Sequence, residues 1–311
     1  MSGSVMPLDR RTLLAAAATT IAGTSRAEPV PERLRLWPGT PPGGGGPTGP
    51  LHERDGVITN VAEPFMETFV PARPNGTTML VAVGGGLSGI SQASEAYPAA
   101  RWLTDLGVTA FVLTYRLPRE GWRDPTPAPL QDGQRAMRTV RAAAARYRLD
   151  PRRVGVLGFS AGGYVLGMVA VRGETRSYAP VDAIDDQSAR PDCVVLAYPV
   201  ATLDAPSDRT ATARAELGDH ATRETRDALS VDSQVRTGDP PMFVVQAGDD
   251  ATVSPENASL LEARCRAQGV PVEVHRFGTG GHGFGMGRQG TPTTDWPNLC
   301  RAWLARQGFV R

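Results

Sequence analysis

Short apolar segments alternate with helical segments along most of this chain. Six of them are rich in apolar or β-branched residues and are bounded by turn residues: 79–83, 108–115, 154–159, 193–198, 242–246 and 272–277. Helical periodicity fills the stretches between and after them: 94–106, 130–147, 161–171, 255–267 and 293–306. Strands that alternate with helices form parallel sheets, and strands that are apolar throughout are buried on both faces. The sequence therefore predicts an α/β fold, with a mostly parallel twisted sheet between two layers of helices.

The first 56 residues do not show this alternation. Residues 1–27 contain paired arginines, Arg10 and Arg11, then an apolar run that ends near the small residue Ala27. This order predicts a twin-arginine-type signal peptide and a mature protein that is periplasmic or secreted, with an ordinary amphipathic helix as the alternative. Residues 28–56 are rich in proline and glycine and are predicted to form an arm without a core of its own. One catalytic domain is expected over residues 57–311.

Composition excludes several classes of function. All 33 basic side chains are arginine, so mechanisms that need a lysine amine, such as Schiff bases and Walker-type ATP binding, are excluded. The net charge is +1 and no stretch is strongly basic, which argues against nucleic acid as a partner. The apolar N-terminal run is short for a membrane span. Four histidines and three cysteines, without metal-binding spacings, predict that the protein has neither a tightly bound metal nor a cofactor.

The segment Gly158–Gly162 has the sequence GFSAG and carries the first candidate catalytic residue, Ser160. It follows an apolar strand and opens a helix, which is the local context of a nucleophile elbow. Glycines on both sides let the backbones approach closely while the serine takes a strained conformation. A serine that only caps a helix would need neither glycine. The pattern therefore predicts a nucleophilic serine.

A serine nucleophile needs a base, and the base needs a carboxylate that fixes its tautomer. Among the four histidines, His282 lies in a glycine-rich loop just after a strand, where it can reach across the carboxyl edge of the sheet. His275 lies inside that strand and is interpreted as structural. Asp250 follows another strand and is the candidate acid, with Asp249 as the alternative. The order Ser160, Asp250, His282 along the chain is that of an α/β-hydrolase triad.

A run of three glycines, Gly84–Gly86, follows the strand that ends at Val83. Backbone N–H groups of Gly85 and Gly86, with that of Ala161, are the candidate donors for an oxyanion hole. The same glycines also satisfy the GxGxxG pattern of a flavin or nicotinamide site. That interpretation lacks an acidic residue after the following strand, and it leaves the serine, aspartate and histidine unexplained.

Two further groups of residues have structural interpretations. Asp132, Arg135 and Arg138 recur at helical spacing and are expected to form a charged helix face, worth roughly 0.2–0.5 kcal/mol per pair. Arg116 is expected to form a structural ion pair. Cys193 lies in an apolar strand and is expected in the core, whereas pairing of the other two cysteines, on separate late helices, stays open.

With these motifs the sequence resembles the α/β-hydrolase superfamily, and within it bacterial esterases similar to acetyl-xylan esterases and feruloyl esterases. The similarity runs from about residue 33 to the end and includes six short segments: 36–39, 84–86, 112–117, 188–192, 198–200 and 280–285. It implies an α/β-hydrolase fold and a Ser160 nucleophile, a His282 base, an Asp250 orienting acid and an oxyanion hole near Gly85. It also implies that Cys265 and Cys300 lie on opposite faces of the sheet, which argues against a disulfide between them.

The first functional hypothesis is an exported serine carboxylesterase acting through an acyl-enzyme on short acyl esters of plant-polysaccharide fragments. Its partner would be a small-molecule or oligosaccharide ester. One alternative is a serine peptidase of the prolyl-oligopeptidase type, whose members usually carry a large extra domain that the 284 residues expected after removal of residues 1–27 do not accommodate. Another alternative is a non-catalytic binding module on the same fold, although all three triad residues are present. An oxidoreductase would be purified yellow or with a bound nucleotide.

Overall fold

The computed structural model describes residues 1, 3, 31–218 and 221–311, so the signal peptide predicted for residues 1–27 lies outside the described residues apart from two single positions. Residues from Pro31 to Arg311 form one compact unit. Its strands in chain order are β1 (Glu32–Arg35), β2 (His52–Arg54), β3 (Val57–Thr59), β4 (Phe65–Phe69), β5 (Thr78–Ala82), β6 (Ile90–Ser91), β7 (Thr109–Thr114), β8 (Val154–Phe159), β9 (Val194–Ala197), β10 (Met242–Ala247) and β11 (Val272–Phe277).

Eight of these strands form one sheet in the order β1-β4-β7-β5-β8-β9-β10-β11. Strand β4 runs antiparallel to both of its neighbours, and the other five pairs, from β7 to β11, are parallel. The central strands β5, β7, β8, β9 and β10 are buried along their whole length. Burial on both faces explains why these segments are continuously apolar. The predicted, mostly parallel sheet is confirmed.

The described helices are α1 (Tyr97–Asp105), α2 (Ala128–Ala142), α3 (Ala144–Tyr147), α4 (Ser160–Arg172), α5 (Ala211–Leu217), α6 (Arg223–Leu229), α7 (Val231–Gln234), α8 (Glu256–Ala267) and α9 (Trp296–Arg306). Helix α4 packs against α2 and α7, and α7 packs against α8. Helices α1 and α9 meet through Trp102 and Trp296, whose ring centroids are 5.9 Å apart. These two groups of helices flank the sheet, as predicted for an α/β-hydrolase fold.

Part of the segment predicted to be an arm belongs to the main domain. Strand β1 pairs with β4 at the edge of the large sheet. Leu36 and Trp37, which follow it, are buried, and the indole N–H of Trp37 donates to Asp132 at 2.8 Å. Residues 28–56 therefore contain a short edge strand that their proline and glycine content did not indicate. The domain begins before residue 57.

The residues predicted to form a charged face on α2 are buried. Asp132 and Arg116 form an ion pair at 2.9 Å with both side chains 0% exposed. Arg135 pairs with Asp182 at 2.6 Å and with Asp185 at 3.0 Å, and Arg138 donates to the Tyr178 hydroxyl. Charged residues at helical spacing are usually solvated, but here two chain segments, containing residues 36–37 and 178–187, cover them. The structural role expected for Arg116 is confirmed, and the weak surface interaction expected for Asp132, Arg135 and Arg138 is wrong.

All three cysteines are buried as free thiols. Cys193 lies in the core directly before β9, as expected, while Cys265 is on α8 and Cys300 on α9. The expectation that Cys265 and Cys300 do not pair is confirmed.

Glu216 on α5 is a buried acid that should make the stability of the fold depend on pH. It is 5% exposed, and Oε1 has no hydrogen-bond partner among the described residues. Burial raises the pKa of Glu216 from 4.5 to about 8, although a hydrogen bond with Tyr164 opposes the shift. Because the pKa is higher in the folded chain, the associated stability is fully present below pH 4.5, declines as the pH rises, and is lost above about pH 8.

We therefore expect Glu216→Gln, which cannot ionise, to be more stable than wild type at pH 8.5, by roughly 2–5 kcal/mol. At pH 5 the two proteins should be much closer in stability. Urea unfolding at both pH values measures the difference, and Glu174→Gln, at an exposed position, is the control. If the stabilities of wild type and Glu216→Gln fall in parallel between pH 5 and pH 8.5, Glu216 does not titrate as described.

Candidate active site

Ser160 lies at a sharp turn where β8 ends and α4 begins. Its φ angle is +50°, in the left-handed region that non-glycine residues rarely adopt. A Cβ at position 158 would lie 2.6 Å from the Cα of Gly163, and one at position 162 would lie 2.3 Å from the carbonyl oxygen of Ala82. Both flanking glycines are thus required by close backbone contacts. The turn has the geometry of the predicted nucleophile elbow.

The structure brings the three predicted triad side chains into one chain of hydrogen bonds. Ser160 Oγ lies 2.9 Å from His282 Nε2, and His282 Nδ1 lies 2.8 Å from Asp250 Oδ2. With Nδ1 donating to the carboxylate, Nε2 is left to accept the serine proton. All three residues lie at the carboxyl edge of the sheet, after β8, β10 and β11.

Asp250 is held in place by several donors besides the histidine. Its side chain is fully buried and also accepts hydrogen bonds from the Gln246 amide and from the backbone N–H groups of Thr252 and Val253, at 2.9–3.0 Å. Burial disfavours the charged form, but the hydrogen bonds from His282 and the backbone outweigh it and lower the pKa of Asp250 below its ordinary value. The acid next to His282 is therefore ionised at neutral pH.

Asp249, the alternative acid, points elsewhere. Its carboxylate is exposed and accepts a hydrogen bond from the backbone N–H of Gly281 at 2.7 Å. Between the two neighbouring aspartates, the geometry favours Asp250 as the partner of His282.

The glycine loop that follows β5 lies directly beside the serine. A Cβ at Gly84 would lie 2.9 Å from the Cβ of Ser160 and 3.4 Å from its Oγ. Gly85 is exposed and Gly86 half-buried, with Ala211 of α5 packed against Gly86. The N–H of Ala161 belongs to the first turn of α4, where backbone donors have no partner within the helix. Gly84 therefore lies against the serine and Ala161 follows the serine in the chain, while Gly85 and Gly86 continue the loop from Gly84.

The glycine loop does not lead directly into a helix, as a dinucleotide fingerprint requires. It continues into β6, which pairs with β3, and then into one π-helical turn over Gln92–Ala96 before α1 begins at Tyr97. No helix N-terminus therefore follows the glycine loop directly, where a pyrophosphate would bind. The structure thus disfavours the oxidoreductase interpretation of these glycines.

Two residues for which the sequence predicted no role contact this site. Tyr198 follows β9, and its ring lies edge to face with that of His282, with centroids 5.1 Å apart. Its hydroxyl donates to Glu95 Oε1 at 2.9 Å. Tyr198 had a sequence signal, because it ends a buried strand at the carboxyl edge of the sheet. Glu95 had none, because an acid inside a helical segment is usually exposed.

The remaining histidines lie away from the triad or outside the described chain. His275 is in β11 and its Nε2 lies 2.8 Å from Glu273 Oε1, which fits its structural interpretation. His52 is exposed on β2, and His220 is outside the described residues. Within residues 31–218 and 221–311, no group of three or more His, Cys, Asp or Glu residues is arranged to hold a metal ion. In the same part of the chain, every helix is too short or too polar to cross a membrane.

Comparison with known proteins agrees with this architecture. Residues 66–265 match the BD-FAE protein family. The chain is 31% identical to an acetyl ester-xyloside bifunctional hydrolase from Caldicellulosiruptor lactoaceticus, with a TM-score of 0.76 over 92% of this chain and 100% of that one. It is also 34% identical over 66% of its length to endo-1,4-beta-xylanase B of Butyrivibrio fibrisolvens, and 29% identical over 71% to an acetylxylan esterase of Xylanibacter ruminicola.

The chain spans only 32% and 44% of the length of these last two relatives. The family match nevertheless covers most of the described unit, and the structural match covers nearly the whole chain. The resemblance seen in the sequence is confirmed, and the chain belongs to the BD-FAE family, on an α/β-hydrolase fold.

Proposed function

We propose that this protein is a serine carboxylesterase that works through an acyl-enzyme. The observation that carries the proposal is the hydrogen-bonded chain from Ser160 through His282 to the buried Asp250, with the glycine loop against the serine. A serine hydroxyl becomes nucleophilic when a neighbouring base accepts its proton, and this base is oriented by an ionised acid. Relatives named as an acetylxylan esterase and as an acetyl ester-xyloside bifunctional hydrolase support the same activity.

In the first half of the reaction, His282 Nε2 takes the proton from Ser160 Oγ, and Oγ attacks the ester carbonyl carbon. The tetrahedral intermediate collapses when His282 gives that proton to the departing alcohol oxygen, leaving an acyl-serine. In the second half, His282 takes a proton from water, the hydroxide attacks the acyl-serine, and the proton returns to Ser160 as the carboxylic acid leaves. Asp250 stays ionised and stabilises the imidazolium formed in each half.

The carbonyl oxygen becomes negatively charged in both tetrahedral intermediates. Backbone N–H groups of Gly85, Gly86 and Ala161 are the proposed donors to this oxygen. Donors fixed in place before the reaction stabilise the developing charge without reorganising, which is usually the largest single contribution to such catalysis. Support comes from the position of the loop beside Ser160 and from the first-turn location of Ala161.

The proposed substrates are short-acyl esters, in particular acetylated fragments of plant polysaccharides. One relative of this chain is named an acetylxylan esterase, and another an acetyl ester-xyloside bifunctional hydrolase. We also propose that residues 1–27 direct export by the twin-arginine route, so that the enzyme meets these substrates in the periplasm or outside the cell. The support is the paired arginines followed by an apolar run and a small-residue cleavage site.

Hydrolysis of 4-nitrophenyl esters of increasing chain length, by protein from residue 28 onwards, tests the activity and the acyl preference together. Turnover that is fastest with acetate and falls with chain length is the expected result, followed by release of acetic acid from acetylated xylan oligosaccharides. Cleavage of peptide substrates at a higher kcat/KM than esters would favour the peptidase alternative. Absence of turnover, together with no labelling by a fluorophosphonate, would contradict the proposal and favour a non-catalytic binding module.

A further inference from the structure

Glu95 is a buried carboxylate that joins two loops of the candidate site. It is 6% exposed and lies in the π-helical turn before α1. Its Oε2 accepts the N–H of Gly84 at 2.7 Å, and its Oε1 accepts the hydroxyl of Tyr198 at 2.9 Å. Gly84 is the first residue of the glycine loop. One oxygen of this carboxylate therefore holds the glycine loop, and the other holds a tyrosine that follows β9.

Tyr198 continues the connection to the loop that carries the histidine. Its hydroxyl accepts the N–H of Gly285 at 3.0 Å while donating to Glu95. Its ring packs edge to face against His282 and against Phe284, with centroids 5.1 Å and 4.4 Å apart. Tyr198 is itself fully buried. Three hydrogen bonds thus run without a gap from Gly84 through Glu95 and Tyr198 to Gly285.

We infer that Glu95 is a positioning residue, which through Tyr198 fixes the glycine loop and the histidine loop relative to each other. The inference rests on the proposed function, because its purpose is to keep the oxyanion donors and the His282 base in register on either side of Ser160. Groups that stabilise a transition state lose effect steeply when they move by about 1 Å. A buried link between the two loops is a direct way to prevent that movement.

The surroundings of Glu95 fit a fixed, buried polar group. Burial raises the pKa of Glu95, while the Gly84 amide, the Tyr198 hydroxyl and the charge of His282 act in the opposite direction. Both of its oxygens are occupied by donors, so the group is satisfied without water. Because the side chain is only 6% exposed and each oxygen is bound to a loop of the site, Glu95 acts through those loops and is not assigned a catalytic role.

The test uses Glu95→Ala, Glu95→Gln and Tyr198→Phe, measured with 4-nitrophenyl acetate. We expect Glu95→Ala to lower kcat by about 10²-fold and Tyr198→Phe by about tenfold, with KM within about twofold of wild type. Glu95→Gln keeps the size of the side chain and one acceptor oxygen, so it should lose less than Glu95→Ala. The kcat of the double variant Glu95→Ala/Tyr198→Phe should be at most about twofold below that of Glu95→Ala, because both changes break the same connection between the loops.

Asp185 provides a matched control. It is also a buried acid that accepts a tyrosine hydroxyl and a backbone N–H, from Tyr178 at 2.6 Å and Val181 at 2.9 Å, but it packs against α2 away from the triad. Asp185→Asn should lose stability and keep kcat. A wild-type kcat in Tyr198→Phe would overturn the inference, even if Glu95→Ala does not fold. Losses in kcat of the two single variants that multiply in the double variant would overturn it as well.

A second readout separates this inference from the proposed function. Amide hydrogen exchange should be at least about tenfold faster at Gly285 in Tyr198→Phe and at Gly84 in Glu95→Ala, and unchanged at both in Asp185→Asn. If wild type hydrolyses no ester, the proposed function fails, but faster exchange still supports the link between the loops. If exchange at both glycines is unchanged, the link itself is absent, whatever the esterase activity.

Discussion

Replacing Ser160 with alanine is expected to lower kcat for ester hydrolysis by about 10⁴–10⁶-fold, with little change in the fold. The reason is that Oγ is the atom proposed to form the acyl-enzyme, and it lies 2.9 Å from Nε2 of His282, the proposed base. Alanine removes Oγ and leaves the glycine loop and His282 in place, so that only weak stabilisation of direct water attack would remain. Stopped assays with 4-nitrophenyl acetate at high enzyme concentration measure the residual rate.

Ser88→Ala is the matched control for this experiment. Ser88 is an exposed serine that also follows the glycine run, and it carries no proposed role. Wild type and Ser88→Ala should both be labelled by a fluorophosphonate and should hydrolyse the ester at similar rates, while Ser160→Ala should do neither. Equal labelling of all three proteins would show that another residue is the nucleophile.

The second large effect is expected at Asp250. Asp250→Asn should lower kcat by about 10³–10⁴-fold, because an asparagine amide can donate to His282 Nδ1 and fix the imidazole in the tautomer that cannot accept the serine proton. It also removes the negative charge that stabilises the imidazolium. The backbone donors of Thr252 and Val253 would keep the side chain in place, so the loss would be chemical and not structural.

Asp249, the neighbouring aspartate, provides a matched control for the Asp250 prediction. Asp249→Asn changes the adjacent residue in the same way, but the carboxylate of Asp249 is exposed and accepts the backbone N–H of Gly281. It should keep kcat within a few-fold of wild type. Steady-state kinetics of the two variants side by side decide between the aspartates, and a larger loss in Asp249→Asn would reverse their assignment.

Elements that depend on local pattern could be predicted from the sequence. The central strands are continuously apolar because both of their faces are buried, and the elbow at Ser160 is marked by two glycines whose positions admit no side chain. The meeting of Ser160, Asp250 and His282 could be predicted because parallel strands bring their carboxyl ends to one edge of the sheet. Each of these features depends on a few consecutive residues.

Features that depend on distant segments could not be predicted in this way. The charges of α2 look solvated along the helix, and only the packing of residues 36–37 and 178–187 buries them. Glu95 and Tyr198 are 103 residues apart, and neither lies in a motif that indicates the other. Short edge strand β1 is too brief to show periodicity before its partner β4 is known. Pairings between remote segments are a property of the fold and leave little trace in the local sequence.

The backbone at Ser160 has a further consequence for how this sequence is maintained. Its φ of +50°, together with that of +40° at Tyr198 at the end of the adjacent strand, costs roughly 1–3 kcal/mol per residue in folding free energy. Glycine would adopt either conformation without that cost. At Tyr198 the burial and contacts of the ring offset that cost, whereas the small side chain of Ser160 brings no comparable packing. A chain selected only to fold would therefore drift towards glycine at position 160. A serine there lowers stability and is maintained only while the protein is used for its chemistry.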